Sequence, residues 1–256
     1  MQILLNRGVR AMFAIASILF TSIPLARGDQ WELGWQVSRY RYDEPDLMHL
    51  SGYRGGLVAA YTFEDGNVFN RLDVRGSYGQ VRYEGTGVME GVPDYLVEAR
   101  WVIGTRLDRQ YKPAPYAGLG YRYLFNDSRG LTSTGAVGYR RYSNYLYAPV
   151  GVSWRAPGPG DWALVPTLEW DFFLHGWQIT KLSDTGLGNS DVTNSQTSGF
   201  GYRLAAMFDN GVWTWGPWLH YWDIKKSDLQ PIGMGQVGWE PANHTLEFGV
   251  EIRRRF

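Results

Sequence analysis

Along most of this chain, apolar and polar residues alternate with a period of two, the signature of strands with one greasy and one polar face. In 244–256, Leu246, Phe248, Val250, Ile252 and Phe256 share one face, while Glu247, Gly249, Glu251, Arg253 and Arg255 share the other. Only Arg254 breaks the pattern, and its long side chain can snorkel to a membrane edge. In 94–107, Tyr95, Val97, Ala99, Trp101 and Ile103 oppose Glu98, Arg100, Val102, Gly104 and Arg106. In 115–125, Ala117, Leu119, Tyr121, Tyr123 and Phe125 oppose Tyr116, Gly118, Gly120 and Arg122. Leu164, Pro166, Leu168, Trp170 and Phe172 likewise oppose Thr167, Glu169 and Asp171. The pattern predicts ten strands, at 31–42, 50–63, 69–84, 94–107, 115–125, 145–156, 162–173, 199–208, 212–223 and 244–256. Each matches or exceeds the roughly 9–11 residues that a tilted strand needs to cross a bilayer.

The connections alternate in length. Those at 64–67, 108–114, 157–160 and 209–211 are short and rich in Gly, Pro, Asn or Asp, whereas 126–143, 174–198 and 224–243 are long. That alternation belongs to an all-β, transmembrane, antiparallel up-and-down barrel of about ten strands (eight to twelve), with short turns towards the periplasm and long loops outside. A soluble sandwich or lipocalin-like barrel also alternates, but its inward face is apolar; here the inward face carries the charge. A slip of one residue would put charges into lipid at about 2–4 kcal/mol each near the midplane, which fixes the register. Pro166 and Pro217 each remove a ladder donor, so bulges are expected there.

Composition agrees. Aromatic residues make up 16% of the chain, including 12 Trp and 17 Tyr, as expected for interfacial girdles, and there are 32 Gly. Cys is absent, so no disulfide, thiolate metal site or Cys nucleophile is available, and a net charge of +0 gives no support for nucleic-acid binding. Arg7 and Arg10, an apolar run from Ala11 to about Leu25 and the small-residue site Ala26-Arg27-Gly28 predict a signal peptide over 1–28. The barrel domain is then 29–256, exported to the outer membrane of a Gram-negative cell.

The inferred lumen collects Arg71, Asp73, Arg75, Glu98, Arg100, Arg106, Arg122, Arg155, Glu169, Asp171, Arg203, Glu247, Glu251 and Arg253. Interspersed charges of both signs predict a network of ion pairs filling a narrow barrel. A small selective pore is the alternative, since eight to ten strands leave little room beyond their own side chains. Strand direction places His49, Asp94, Glu98, Asp171, His175, His220 and Asp223 near the outer rim, with Asp171/His175 and His220/Asp223 as candidate acid–imidazole pairs. The alternating glycines of Gly118-Leu119-Gly120 are read as relief of crowding in the lumen rather than a phosphate loop. Met89, Tyr142 and Trp177 fall in outer loops, and 185–198 reads as a polar loop tip. No cofactor or metal is expected.

Several phrases carry a resemblance: Ser38-Arg-Tyr-Arg-Tyr-Asp-Glu-Pro45, Pro93-Asp-Tyr-Leu-Val-Glu-Ala-Arg100, Gly118-Leu-Gly-Tyr-Arg-Tyr123, Ser143-Asn-Tyr-Leu-Tyr147 and Tyr221-Trp-Asp-Ile224. With the terminal Phe256, they resemble a family of Gram-negative outer-membrane β-barrels over nearly the whole chain after the leader. The resemblance implies location and architecture, and assembly through the C-terminal strand by the barrel assembly machinery. It brings no catalytic motif. The ten-strand layout is similar to that of the omptin proteases, yet their Asp-x-Asp and Asp-x-His motifs are missing here. The His-x-Ser pair of lipid A deacylase-like barrels is matched by His49-Leu50-Ser51, well N-terminal of its place in that family. The expected protein is a monomer among outer-membrane lipids, including lipopolysaccharide, with a structural or surface-interaction role through long loops that meet an extracellular ligand. A rim-located hydrolase using residues from His49, Ser51, Asp171, His175, His220 and Asp223 is the alternative, besides the pore.

Overall fold

The computed structural model describes residues 29–108, 112–233 and 235–256, so the predicted signal peptide lies outside the described residues. Fourteen strands follow one another: β1 (Gln30–Glu44), β2 (Met48–Asp65), β3 (Val68–Gly85), β4 (Gly87–Thr105), β5 (Ala114–Leu131), β6 (Val137–Ser153), β7 (Ala156–Pro157), β8 (Ala163–Thr180), β9 (Val192–Gln196), β10 (Gly199–Asp209), β11 (Trp213–Ile224), β12 (Gln230–Gly233), β13 (Gln236–Gly238) and β14 (Asn243–Arg255). Ten of them, β1–β6, β8, β10, β11 and β14, pair antiparallel with their neighbours round a closed ring, sealed where β14 meets β1. Closure leaves no open edge, which a backbone in hydrocarbon requires. All ten predicted strands are present. The β7 and β9 pieces pair with β8, and β12–β13 form a separate hairpin.

The outward face is apolar, as the alternation demands. Trp35 and Val37 on β1, Leu72 on β3, Trp101 on β4, Leu168 on β8 and Val250 on β14 are all exposed. Aromatic rings gather at two levels. Trp31 and Tyr61 (4.7 Å between ring centres) and Phe208 and Trp215 (5.0 Å) lie near the short turns. Tyr78–Tyr95 (4.7 Å), Tyr95–Phe125 (5.7 Å) and Phe125–Tyr142 (4.8 Å) run across four strands nearer the long hairpins. Arg254 also faces outward, and its guanidinium lies over the Phe256 ring at 5.2 Å.

Two of the short turns, 64–67 and 209–211, form from the residues expected to make them, while part of the predicted turn at 108–114 lies outside the described residues. Gly66 sits at φ +59° and Gly211 at φ +90°. The Asp209 carboxylate accepts the Gly211 N–H (2.6 Å), and Asn210 Oδ1 accepts the Trp213 N–H (2.8 Å). At the other end three expectations need correction. Strands β5 and β6 run on through most of 126–143, so the predicted loop is a hairpin joined at 132–136. Strand β4 begins at Gly87, seven residues before its predicted start, and Gly85-Thr86-Gly87 turns the chain. The 174–198 region extends β8 to Thr180 and folds β9 back onto it. Nor does either proline cause a bulge. Pro166 lies just beyond the last β6–β8 pair, Ser153↔Thr167. At Pro217 the β10–β11 pairing lapses between Ala205↔Trp218 and Phe208↔Trp215, then resumes in the same register.

Candidate functional site

The inside of the barrel is layered, and the layers follow from which side chains each strand turns inward. Towards the hairpins the lumen holds two apolar clusters set among buried polar groups such as Arg54, Asp94, Asn126 and Gln178, and these clusters are absent from the sequence reading. Leu96, Leu124, Tyr145, Tyr147, Phe173, Trp222 and Ile224 form one buried cluster, and Tyr40, Tyr42, Leu50, Val81 and Val92 another. Inward glycines make room for these rings. A Cβ on Gly120 would stand 2.2 Å from the Tyr147 ring, and one on Gly201 would stand 2.9 Å from Trp222. Of the two glycines read as relief of crowding, Gly120 makes room for a ring of this plug, whereas a Cβ on Gly118 would meet the Trp101 carbonyl oxygen of the neighbouring strand at 2.0 Å.

Below the plug lies a layer of buried charge. Arg75 donates to Glu98 (2.5 Å), Arg203 to Glu98 (3.0 Å) and Tyr147 to Glu98 (2.6 Å). Arg100 bonds Glu169 at 2.5 Å, and Tyr116 donates to the same carboxylate at 2.7 Å. Glu247 accepts from Ser38 (2.8 Å) and lies 3.4 Å from Arg75. Arg122 is buried with its guanidinium 5.6 Å from the centre of the Trp222 ring. Arg71 pairs with Asp73 (2.9 Å), and Glu251 with Arg253 (2.9 Å). Ion pairs thus join Arg71, Asp73, Arg75, Glu98, Arg100, Glu169, Arg203, Glu247, Glu251 and Arg253 inside the barrel, whereas Arg106 and Arg155 stand half-exposed at the short-turn mouth beside Glu64 and Asp209. Sequence reasoning missed Arg54, wholly buried against Asp94 and stacked 3.3 Å from the Tyr40 ring centre. Its even spacing from inward-facing Gly52 and Gly56 was the available signal.

The rim placement fails for four of its seven residues. Asp94, Glu98, Asp171 and His220 are buried inside the barrel; His220 is 1% exposed and Asp171 0%. His220 makes a pair that neither candidate contained. Its Nε2 lies 3.1 Å from Asp171 Oδ2, and its Nδ1 lies 3.1 Å from Arg75 Nη2. An Nε2–H tautomer satisfies both contacts, donating to the carboxylate and accepting from the guanidinium. Asp171 and His175 are parted by a register shift: β8 pairs Phe173 with Tyr147 but His175 with Leu146, so His175 turns outward beside Trp177. His220 and Asp223 face opposite sides, and Asp223 meets Lys225 (2.7 Å) and His244 (3.4 Å) instead.

His49 and Ser51 face outward near the β1–β2 turn, where His49 Nε2 lies 2.9 Å from Glu84 Oε2. Strand register joins this pair to a longer row. Asp223, His244, Asp43, His49 and Glu84 are direct cross-strand neighbours on five adjacent strands, alternating carboxylate and imidazole. Among the described residues no three His, Asp or Glu side chains gather closely enough to hold a metal ion.

At the hairpin mouth, Arg141 bonds both Glu44 and Glu240, and the Tyr42 hydroxyl donates to Glu44 at 2.8 Å. Glu240 belongs to the segment after β13 and is buried here. Burial, opposed by Arg141 and reinforced by Glu44, pushes its carboxyl up to about 7. At the opposite mouth, a cavity of about 520 Å³ opens between the short turns and reaches Arg75, Glu98 and Trp218.

Comparison places this geometry. No family model matches the chain. No curated protein matches it in sequence. Solved structures do match: the outer membrane protease OmpT from Escherichia coli superposes with a TM-score of 0.57 at 8% identity, covering 92% of this chain and 99% of that one. The translocator domain of the autotransporter NalP from Neisseria meningitidis gives 0.44 at 13% identity, over 95% and 94% of the two chains. Ail, the attachment invasion locus protein of Yersinia pestis, gives 0.35 at 11%, over 90% and 99%. The chain has the fold of an outer-membrane β-barrel, closed with ten strands.

Proposed function

We propose that the protein is an integral outer-membrane barrel of a Gram-negative cell, acting as a sealed platform that presents hairpins to an extracellular ligand. The observation that carries this is the plug, which fills the hairpin-side lumen, while apolar side chains that a soluble tip would avoid stand out beyond it. Leu131 is 66% exposed, Leu187 64%, Leu229 63% and Trp239 53%, all on or beside the hairpins. A filled lumen also argues against conduction. The likeness to a protease extends to the fold alone, and the one buried acid–imidazole pair, Asp171–His220, has no access for a peptide. On this reading the barrel is a monomer among lipopolysaccharide and other outer-membrane lipids, inserted by the barrel assembly machinery through β14. The test is to replace 182–197 and 226–241 by short Gly-Ser turns. The barrel should keep its heat-modifiable gel migration while cells lose adherence to host matrix and adsorption of phage; unchanged surface binding would count against the platform.

A second reading is favoured by the outward His49–Glu84 contact of 2.9 Å, with Ser51 on the same face two residues along β2. A carboxylate that orients an imidazole beside a hydroxyl is the arrangement that activates a serine for acyl transfer. Because this group faces outward, its substrate would be an ester of a membrane lipid. Fatty-acid release from lipid A vesicles, abolished by Ser51→Ala and by Glu84→Gln in a folded barrel, tests it; equal release by both variants and the parent dismisses it.

A further inference from the structure

We propose that the cavity at the short-turn mouth is a binding site for an oxyanion ligand, a carboxylate or phosphate group entering from the periplasmic side. It lies at the far end of the barrel from the hairpins, so it stands or falls independently of the platform reading.

Its size, about 520 Å³, is that of ordinary small-molecule sites. Among the described residues lining it are nine basic side chains and six carboxylates. Two of the carboxylates are each shared among three arginines. Glu32 serves Arg71 (2.8 Å), Arg255 (3.3 Å) and Arg253 (3.4 Å). Asp73 serves Arg71 (2.9 Å), Arg100 (3.3 Å) and Arg253 (3.4 Å). Three of these arginines have a further acid each, Arg253 in Glu251 (2.9 Å), Arg255 in Asp209 (3.0 Å) and Arg100 in Glu169 (2.5 Å), so the positive surplus lies in the lining as a whole, nine basic groups against six carboxylates. The Nε–H groups of Arg253 and Arg255 are buried and make no hydrogen bond within the protein. Guanidinium is the side-chain group that binds a carboxylate or phosphate through paired N–H donors, and the net positive lining draws an anion in.

The walls also carry an apolar strip, with Phe69, Val102, Ala114 and Tyr116 forming a buried cluster and Trp218 near the floor. An organic anion, with a charged head and an apolar body, suits both surfaces. The floor is closed by the Arg75–Glu98 layer and the plug above it, so the ligand is held rather than passed through. Two sources offer this chemistry: a free anionic solute, or the carboxylate end of a chain.

The absence of cysteine makes a direct test possible. Thr214→Cys places a single thiol in the cavity wall, with Gln30→Cys as a second position should the first variant fail to fold. Thr134→Cys, exposed between β5 and β6, is the control. Each variant of the full barrel in detergent micelles is labelled with anionic sulfonatoethyl and cationic trimethylammonium-ethyl methanethiosulfonates. The anion-to-cation rate ratio in the cavity should exceed the control's by about tenfold and shrink in high salt. Arg106→Gln with Arg155→Gln should lower it. Pyrophosphate, or acetyl-Ala-Ala with a free carboxylate, should slow the anionic labelling. Protection by pyrophosphate assigns the site to a free solute. Protection by the peptide but not by its amide assigns it to a chain end. A ratio equal to the control, or labelling that neither probe slows, overturns the proposal.

Discussion

At the scale of single residues, the lumen holds ionised groups most of which are kept inside by a partner of opposite charge. Removing one member of such a pair leaves a buried charge uncompensated, at a cost of about 3–5 kcal/mol. Arg54 is the sharpest case, wholly enclosed between Asp94 and the Tyr40 ring, with Glu247 at 3.9 Å. Arg54→Ala should lower the unfolding free energy in urea, followed in lipid vesicles, by about that amount. Arg41→Ala, whose side chain lies exposed on the outer face, should change it by less than about 1 kcal/mol. This scale was also the least legible in the sequence. Parity alone separates His220 from Asp223, because an odd spacing of three puts two side chains on opposite faces of a strand. Asp171 and His175 have an even spacing and should share a face, but the shift after Phe173 reverses His175. The true partners, Asp171 and His220, sit on β8 and β11 with β10 between them, and no local spacing reveals that.

At the scale of elements, the strands were legible because period-two alternation is a local property, enforced separately in each segment by lipid on one side. Their lengths were not. Beyond the bilayer no lipid imposes alternation, so the extensions of β5, β6 and β8 into the hairpins read as loops, and Arg141 was lost among them. That arginine matters to the segment after β13, which is held at the hairpin mouth by Glu240. The Glu240 carboxyl is raised from 4.5 when free to about 7 when docked, so docking favours the protonated form. Docking is therefore strongest below pH about 4.5 and weakens as pH rises through about 7, by about 3 kcal/mol in all. Amide exchange across 226–242, corrected for intrinsic rates, should accelerate between pH 6 and pH 8. Glu240→Gln should remove that acceleration; if the variant retains it, Glu240 is not the group responsible.

For the whole molecule, barrel architecture was legible because three independent signals agreed: alternating faces, alternating connection lengths and abundant aromatics. The inside was legible only in part. Charged residues announce themselves as inward, whereas an inward Leu96 or Trp222 looks like one more lipid-facing residue, so the plug was hidden behind the same letters as the membrane band. Its consequence is testable: planar bilayers containing the barrel should show no discrete conductance, and opening steps altered by Arg100→Gln would contradict the sealed lumen. The seam has a further effect. Strands β1 and β14 meet through twelve direct pairs, and across that join Arg253 and Arg255 reach Glu32 from within. Parting the two strands would take both of these arginines from Glu32 and leave it Arg71 alone, so the join is held by charge as well as by backbone. These ties between the first and last staves can form only once the ring has closed, so they reward closure itself.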